Sequence, residues 1–525
     1  MIDRSDSATL MYHNDTKHSF HSVHSNSHYL DFSNQPMPFK VYPEIEPIAL
    51  PPEPTRAIKS DLKSIFSLGE EEGGQKPLSL EILARLFFLT SGITKSIEVG
   101  GRSHYFRAAA CTGALYHIEL YLICGDLLSG NKNGLAPGVY HLAVQDYAAR
   151  CLRLGDYRAT IAESLGRSEV PEAVFVYTST YWRNAWKYQS RTYRHCFWDS
   201  GTMLANCLAV AASYDVDVRL NAGFKDNMVN ELLGLEIRDE VSLAVMELGE
   251  RSPIQDGAGK IKPVDFKIAS LSAAPVDYPQ IREIHDASSL RRGSEVLDWR
   301  LNAESFLNEK FQKSTESESS LREKGYQLFS LIEGEHSGDS IDDVILRRGS
   351  ARRFGRLSIK FEDLSVILKL ATRTIPADFL PSGLPILNEI YLIVSAVDGL
   401  PSGAYFFDRH LDALVLLREG NFRREAGVLG LDQDLAADAS VNVYFLSDLG
   451  KVLCAFGDRG YRAAQLEAGV LGGKLYLGAY AQRLAASGLT FYDDEVISFF
   501  GPHAKGKEVM FLVLLGRRNI TRPRS

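Results

Sequence analysis

Apolar residues in this chain switch between helical and strand-like spacing, and the order of the switches occurs twice. From Leu78, LSLEILARLFFLTSG places Leu80, Ile82, Leu83, Leu86 and Phe87 at helical spacing, with Ser79 as N-cap and Gly92 as stop. The strand-like segments IELYLIC (118–124) and GVYHL (138–142) follow. DSGTMLANCLAVAASY (199–214) predicts a largely buried helix, and SLAVMELG (242–249) a closing strand. A polar stretch follows from about 251 to 335; its centre, EKFQKSTESESSLREKG, is too charged for a core and predicts a linker with some helix. The order then returns with LSIKFEDLSVILKLATR (357–373) as helix, NEIYLIV (388–394) and GAYFF (403–407) as strands, LEAGVLGGKLYLGAYAQRLAASG (466–488) as helix and VMFLVLLG (509–516) as the last strand.

Three landmarks repeat at nearly one offset. Glu119-Leu-Tyr-Leu-Ile123 aligns with Glu389-Ile-Tyr-Leu-Ile393 at 270, Tyr193-Arg194 with Tyr461-Arg462 at 268, and Gly249 with Gly516 at 267. Such a constant offset argues for a tandem duplication, and two copies of one fold in a chain can form the equivalent of a homodimer. The expected organisation is an extended polar arm over 1–77, a first domain over 78–250, a linker over 251–340, a second domain over 341–518 and a tail over 519–525. The arm is His-rich and then Pro-rich, with prolines from Pro36 to Pro54 spaced too closely for a helix or central strand.

Composition narrows the function classes. The 525 residues are 45% hydrophobic and 24% charged, which fits globular domains and excludes a wholly disordered chain. With Lys+Arg 58 against Asp+Glu 66 the net charge is −8, the wrong sign for nonspecific binding to nucleic acid or an anionic membrane. Six cysteines without any CxxC fit reduced thiols in the cytoplasm, and neither a signal peptide nor a membrane span is expected.

The sharpest chemical signal is Arg347-Arg348-Gly349-Ser350-Ala351-Arg352-Arg353-Phe354, four arginines and a serine within seven positions. Guanidinium forks and a hydroxyl make a phosphate cradle; a solvated basic patch is the plainer reading. A second pair, Arg517-Arg518, follows the last strand of the same repeat and favours the anion site.

This RxSxRxF segment, the small-residue stretch running into IELYL, the buried helix after YR and the terminal basic pair resemble the FMN-dependent nitroreductase superfamily. AACTGALYHIELYL, GVYHL, KYQSRTYR and GLTFYDDEV are similar to its SagB/ThcOx-type dehydrogenase branch in tandem form; the likeness covers about 78–250 and 341–518. It implies an α+β fold of two tandem nitroreductase-like domains forming an intramolecular pseudo-dimer, with FMN at the interface. The family's phosphate ligands map onto Arg348 and Ser350, its basic residue near the flavin pyrimidine onto Arg352, its Gly-Leu segment onto Gly488, Leu489 and Thr490, and its terminal basic ligands onto Arg517 and Arg518. The partner wall, Pro-Ser-Ala-Gly-Ala-Leu in the family, maps onto Ala110, Cys111, Thr112, Gly113, Ala114 and Leu115, with Ala and Cys in place of Pro and Ser.

The first repeat lacks the cradle: IFSLGEEEGGQKP before its helix is acidic and would repel phosphate. One FMN site per chain is therefore expected, built from the second repeat's cradle and the first repeat's wall, with Pro381-Ser382-Gly383-Leu384 facing an empty or degenerate counterpart. By the resemblance, Lys187 and Tyr188 are the catalytic proton-transfer pair; a surface Lys beside a packing Tyr is the alternative. Oxidising an azoline removes a proton while hydride leaves for the flavin, which suits a lysine of lowered pKa. No metal site is expected: His18, His21, His24 and His28 have ligand spacing but lie in a Ser/Asn-rich segment, Cys111 reads as a packing thiol, and Asp493-Asp494-Glu495 as an acidic surface turn or a substrate-amine contact. The implied function is dehydrogenation of azoline to azole in a peptide or similar heterocycle, in a monomer or homodimer, with an azole-forming complex as partner. An NAD(P)H-dependent nitro or quinone reductase and a redox-inactive scaffold binding a peptide or partner are the alternatives.

Overall fold

A computed structural model describes residues 7–51, 77–127, 134–255, 259–264, 266–313, 317–335 and 338–519. Two seven-stranded sheets carry the chain. The first holds β1 (Pro47–Ala49), β2 (Ile118–Cys124), β3 (Gly138–Ala143), β4 (Ala148–Leu154), β5 (Glu169–Thr180), β6 (Val218–Asn221) and β7 (Glu240–Pro253). The second holds β8 (Gln327–Ser330), β9 (Glu389–Val394), β10 (Gly403–Asp408), β11 (Ala413–Glu419), β12 (Val441–Ser447), β13 (Ala485–Leu489) and β14 (Glu508–Gly516). The strand orders are β1-β4-β3-β2-β5-β7-β6 and β8-β11-β10-β9-β12-β14-β13, so each strand of the first sheet has its counterpart seven labels on. All pairings within the two sheets are antiparallel; β2 pairs β5 from Ile118↔Ser179 to Cys124↔Ala173, and β9 pairs β12 from Glu389↔Leu446 to Val394↔Val441. Every residue of β2 is buried, which is why its sequence is apolar on both faces save for Glu119, whose carboxylate is paired with Arg183 at 2.6 Å and His141 at 3.1 Å.

The helices that matter for the site are α1 (Ala8–Asp15), α2 (Leu80–Ser91), α3 (Tyr181–Tyr188), α4 (Thr192–Ser213), α5 (Ile341–Arg347) and α6 (Arg459–Ala481). The Ser79 hydroxyl accepts from the Ile82 N–H at the start of α2, and Gly92 closes it, as the pattern predicted. Helices α4 and α6 are buried at every position and cross between the sheets. They touch through glycine: a Cβ on Gly201 would lie 2.5 Å from the carbonyl carbon of Gly469, and one on Gly469 would lie 2.5 Å from the Phe197 oxygen. Gly201 and Gly469 are 268 apart, the repeat offset itself, as expected of a self-complementary interface.

Buried ion pairs lock the same interface on both sides. Asp226 of the first repeat binds Arg459 at 2.6 Å and Arg462 at 2.7 Å of the second; Asp493 of the second binds Arg194 at 2.7 Å and Arg191 at 3.1 Å of the first. The offsets, 267 for the aspartates and 268 for the arginines, make these one interaction used twice.

Several expectations need correction. The helix expected over 466–488 spans 459–481, and Gly488-Leu489 belongs to β13, because pairing with β14 from Ala485↔Gly516 to Leu489↔Leu512 overrides the helical spacing of these small residues. The helix expected at 199 begins at Thr192. The arm is not simply extended: α1 buries Thr9, Tyr12 and His13 at the domain interface, and β1 joins the edge of the first sheet. Asp493 is no surface turn but fully buried, whereas Asp494 is exposed and paired with Lys17. The stretch expected as linker buries Ile281, Ile284, Val296 and Trp299, and β8 within it forms the edge of the second sheet. The acidic segment before α2 lies, for residues 65–76, outside the described residues.

Candidate active site

The loop after α5 carries the basic cluster to the junction of the repeats. Arg348 donates from Nε to the Ala108 carbonyl at 2.8 Å and from Nη2 to the Arg107 carbonyl at 2.7 Å. It thus braces the second repeat against the start of the first repeat's wall, beyond any role toward an anion. Ser350 is exposed, and its Oγ lies 3.2 Å from the Tyr476 hydroxyl, which also accepts from the Gly488 N–H. Arg518 donates to the Tyr480 hydroxyl at 2.8 Å, and its Nη2 lies 2.8 Å from where a Gly349 Cβ would stand. Arg348, Ser350, Gly488 and Arg518 therefore converge around Tyr476 and Tyr480 of α6, two residues the sequence reading did not single out. Arg517 is exposed on strand-end backbone and has no hydrogen bond or ion pair to the group among the described residues; its charge acts on Asp363. Arg352 is exposed, and no carboxylate among the described residues pairs with it.

The wall is held from beneath by Asp199 of α4. Its Oδ1 accepts from the Thr112 N–H at 2.9 Å and the Thr112 hydroxyl at 2.8 Å; its Oδ2 accepts from the Cys111 thiol at 3.1 Å and lies 2.9 Å from His117 Nε2. The three donor atoms of Cys111, His117 and Asp199 are mutually within 4.8 Å, but they are engaged with one another. Burial, then the charge of Asp199, pushes the Cys111 thiol well above its ordinary range, so it stays protonated and packs. Glu467, at 199 plus 268, plays the same part in the second repeat by accepting from the Ile386, Leu387 and Asn388 N–H groups. Gly113 sits at φ +64°, and a Cβ there would lie 2.7 Å from the Tyr188 hydroxyl, so the tyrosine rests directly on the wall.

Lys187 and Tyr188 end α3, where the chain turns through Gln189 at φ 50°. The matching position, 189 plus 268, is Gly457 at φ 64°. A non-glycine residue in this conformation costs backbone strain, and it occurs in the repeat that carries the Lys-Tyr pair. Lys187 Nζ lies 5.2 Å from the Tyr188 ring centroid. Partial desolvation, then Arg352 of the second repeat, lowers the Lys187 pKa from its ordinary value. Burial, then Asp199 and Cys111, raises that of Tyr188. The two groups are therefore pushed apart, towards a neutral amine and a persistently protonated phenol.

The residues fit a flavin phosphate and ring. Arg348, Ser350, Arg352 and Arg518 offer guanidinium and hydroxyl donors that pair with no carboxylate among the described residues, and the Thr490 hydroxyl, beside Gly488-Leu489, is buried without a hydrogen-bond partner among them. The counterpart site differs. Asp378 accepts from the Ala222 N–H at 2.9 Å and the Gly223 N–H at 3.0 Å, the positions matching Leu489 and Thr490 at 267, while Trp299 packs within 2.6 Å of where a Gly223 Cβ would be. Groups that stay open in one half are capped in the other. Of the arm histidines, His18 is half-buried beside Arg191 and Asp493, with burial and then Arg191 holding its pKa down to about 3, whereas His24 bonds the Phe20 carbonyl and His28 the Trp186 carbonyl. The four do not form a ligand cluster among the described residues.

No family model matches the chain. A solved structure from Anabaena variabilis, assigned as a nitroreductase, superposes over 98% of this chain and 100% of its own with a TM-score of 0.73 at 24% identity. The fold is that of the nitroreductases, in tandem. Among curated proteins, MJ1384 of Methanocaldococcus jannaschii, also a nitroreductase by assignment, is 26% identical over 165 residues, 30% of this chain and 81% of that protein. The microcin B17-processing protein McbC of Escherichia coli is 30% identical over 144 residues, 26% of this chain and 52% of that protein, so the chain spans about half its length. The chain thus has the nitroreductase fold and is similar in sequence, over parts of its length, to a protein assigned as a nitroreductase and to a microcin-processing protein.

Proposed function

We propose that the chain is an FMN-dependent oxidoreductase that dehydrogenates azoline rings in a modified peptide to azoles, with one FMN site per chain. The observation that carries this is the meeting of the two repeats at one place: the Lys187–Tyr188 pair and the Gly113 wall from the first, the Arg348/Ser350/Arg352 segment from the second. Likeness to a peptide-processing protein supports the substrate class. Arg348, Ser350 and Arg518 would hold the phosphate, with Arg517 beside them, and Arg352 would lie at the pyrimidine edge. Ala110, Cys111, Thr112, Gly113 and Leu115 would wall one side of the ring, and Gly488, Leu489 and Thr490 the other. FMN, when bound, supplies the two-electron acceptor for a hydride.

The protein's own groups manage the proton. Aromatisation of an azoline removes one hydride and one proton from adjacent ring atoms. Lys187, in the neutral form that desolvation and Arg352 favour, would take the proton at Nζ, and Tyr188 would donate a hydrogen bond and hold the ring against the wall. Asp199 fixes that wall. Among the described residues no helix is long and apolar enough to cross a membrane.

The test is the visible spectrum of the purified protein with flavin quantified per chain, followed by turnover of a thiazoline peptide. One FMN per chain, lost in the Arg348→Ala/Ser350→Ala variant, and turnover lost in Lys187→Ala with FMN retained are expected. No flavin uptake refutes the reading. Undiminished quinone or nitroarene reduction by NAD(P)H in Lys187→Ala, without thiazoline oxidation by the parent, gives the reductase instead.

A further inference from the structure

The two repeats differ just before the wall. In the second, helix Phe361–Ala371 leads through residues 372–377 to Asp378; in the first, α2 leads through residues 92–107 to Ala108, which matches Asp378 at the offset of 270, so the first repeat is longer here by ten residues. The extra length is a two-stranded hairpin, Ile93–Val99 against Arg102–Arg107, turning through Gly100-Gly101 at φ 59° and 74°. It stands in the repeat that carries Lys187 and Tyr188, and its base is the Arg107-Ala108 backbone that Arg348 grips.

The hairpin is a sheet by itself. Its second strand is backed by the arm, with the Phe39 ring 5.1 Å from Tyr105 and the Arg107 Nη2 donating to the Pro38 carbonyl. The first strand is open: Lys95 to Val99 are all exposed, Ile97 at 38% and Val99 at 56%. Among the described residues, no backbone group of Thr94–Val99 is bonded outside the hairpin. This edge has no proline or bulge between Lys95 and Val99 and carries Ile97 and Val99 exposed, with Lys95 and Glu98 its only charges; it is open to pair an incoming strand.

We infer that Ile93–Val99 is the docking strand for the peptide substrate: an extended segment flanking the heterocycle adds to this edge by main-chain hydrogen bonds, and the hairpin delivers the ring to the wall at its base. This deepens the function proposed above and rests on it for the identity of the ligand. Seven residues at roughly 3.3 Å each give a guide of about 20 Å. Lys95 and Glu98 leave the exposed strand without net charge, which suits an uncharged segment. The hairpin's continuity with the wall, into which its second strand leads, and its confinement to the repeat with the Lys-Tyr pair, single out substrate over a second copy of this chain as the occupant.

The experiment uses the full FMN-loaded chain and two probes: a thiazoline flanked by five uncharged residues on each side, and the same thiazoline capped with acetyl and methylamide groups. The flanked probe is expected to slow amide hydrogen exchange at 94–99 and to exceed the capped probe in kcat/KM by about tenfold or more. Replacing 94–105 by a short link, or the milder Ile97→Asp/Val99→Asp change, should remove that advantage while leaving turnover of the capped probe and FMN content as they were. Turnover without protection at 94–99, or a length advantage that survives both variants, overturns the docking strand alone. Protection at 94–99 without turnover upholds the strand and overturns the azoline reading. Protection that appears without peptide and grows with protein concentration overturns it in favour of edge-to-edge dimers.

Discussion

Asp226 offers the most demanding test of the pseudo-dimer. Its carboxylate is fully buried between Arg459 and Arg462, at 2.6 and 2.7 Å, and lies 3.8 Å from His285 Nε2. Burial alone would raise its pKa; the two guanidinium groups overcome that and hold it down to about 2, against 3.8 when unpaired. Such a depressed acid contributes stability above the unfolded pKa and loses it as the pH falls through the folded one, here between about pH 4 and pH 2. The interval is worth roughly 2 kcal/mol at 1.36 kcal/mol per unit. Asp226→Asn leaves two arginines buried without their counter-ion, a change that costs about 3–5 kcal/mol. Urea unfolding at pH 7 should show that loss as a lower midpoint, and the gap between wild type and variant should narrow as the pH falls from 5 to 2. A variant within about 1 kcal/mol of wild type at pH 7, or a gap independent of pH, would refute the claim that this pair clamps the repeats.

Other consequences are as direct. Arg352→Gln removes the like charge that, after desolvation, depresses Lys187; the alkaline-side rise of the turnover rate should then move to higher pH, and an unmoved limb would separate Arg352 from the proton step. Gly201→Val puts side-chain carbon into the Gly469 backbone, where even a Cβ would stand 2.5 Å away; it should cost about 3 kcal/mol or more and reduce FMN retention, checked by thermal unfolding and released flavin.

Much of this was legible in the sequence because it depends on period and order. The 3.6 spacing gave α2, and the strand-like runs around Glu119 and Glu389 gave β2 and β9, to within a residue or two, and the near-constant offset gave the duplicated topology. The Arg348–Arg352 segment was conspicuous because four arginines in seven positions are hard to reconcile with an acidic chain. A further signal was only half read: Arg194 and Arg462 served as an offset landmark, but Asp226 with Asp493 at 267 and Arg191 with Arg459 at 268 obey nearly the same offset, and charges at equivalent positions of two repeats are candidates to pair across them.

What the sequence determined by itself was local: which segments are periodic, which are duplicated, and which carry charge. The tertiary structure decided what those charges do. Arg348 spends two donors on the other repeat's carbonyls, Asp199 supports the wall, and Asp378 with Trp299 caps the counterpart site. The open hairpin edge beside the wall likewise emerges only in three dimensions. The physical reason is that period and propensity act over a few neighbours, whereas hydrogen-bond satisfaction and desolvation of a buried charge depend on groups hundreds of residues away along the chain.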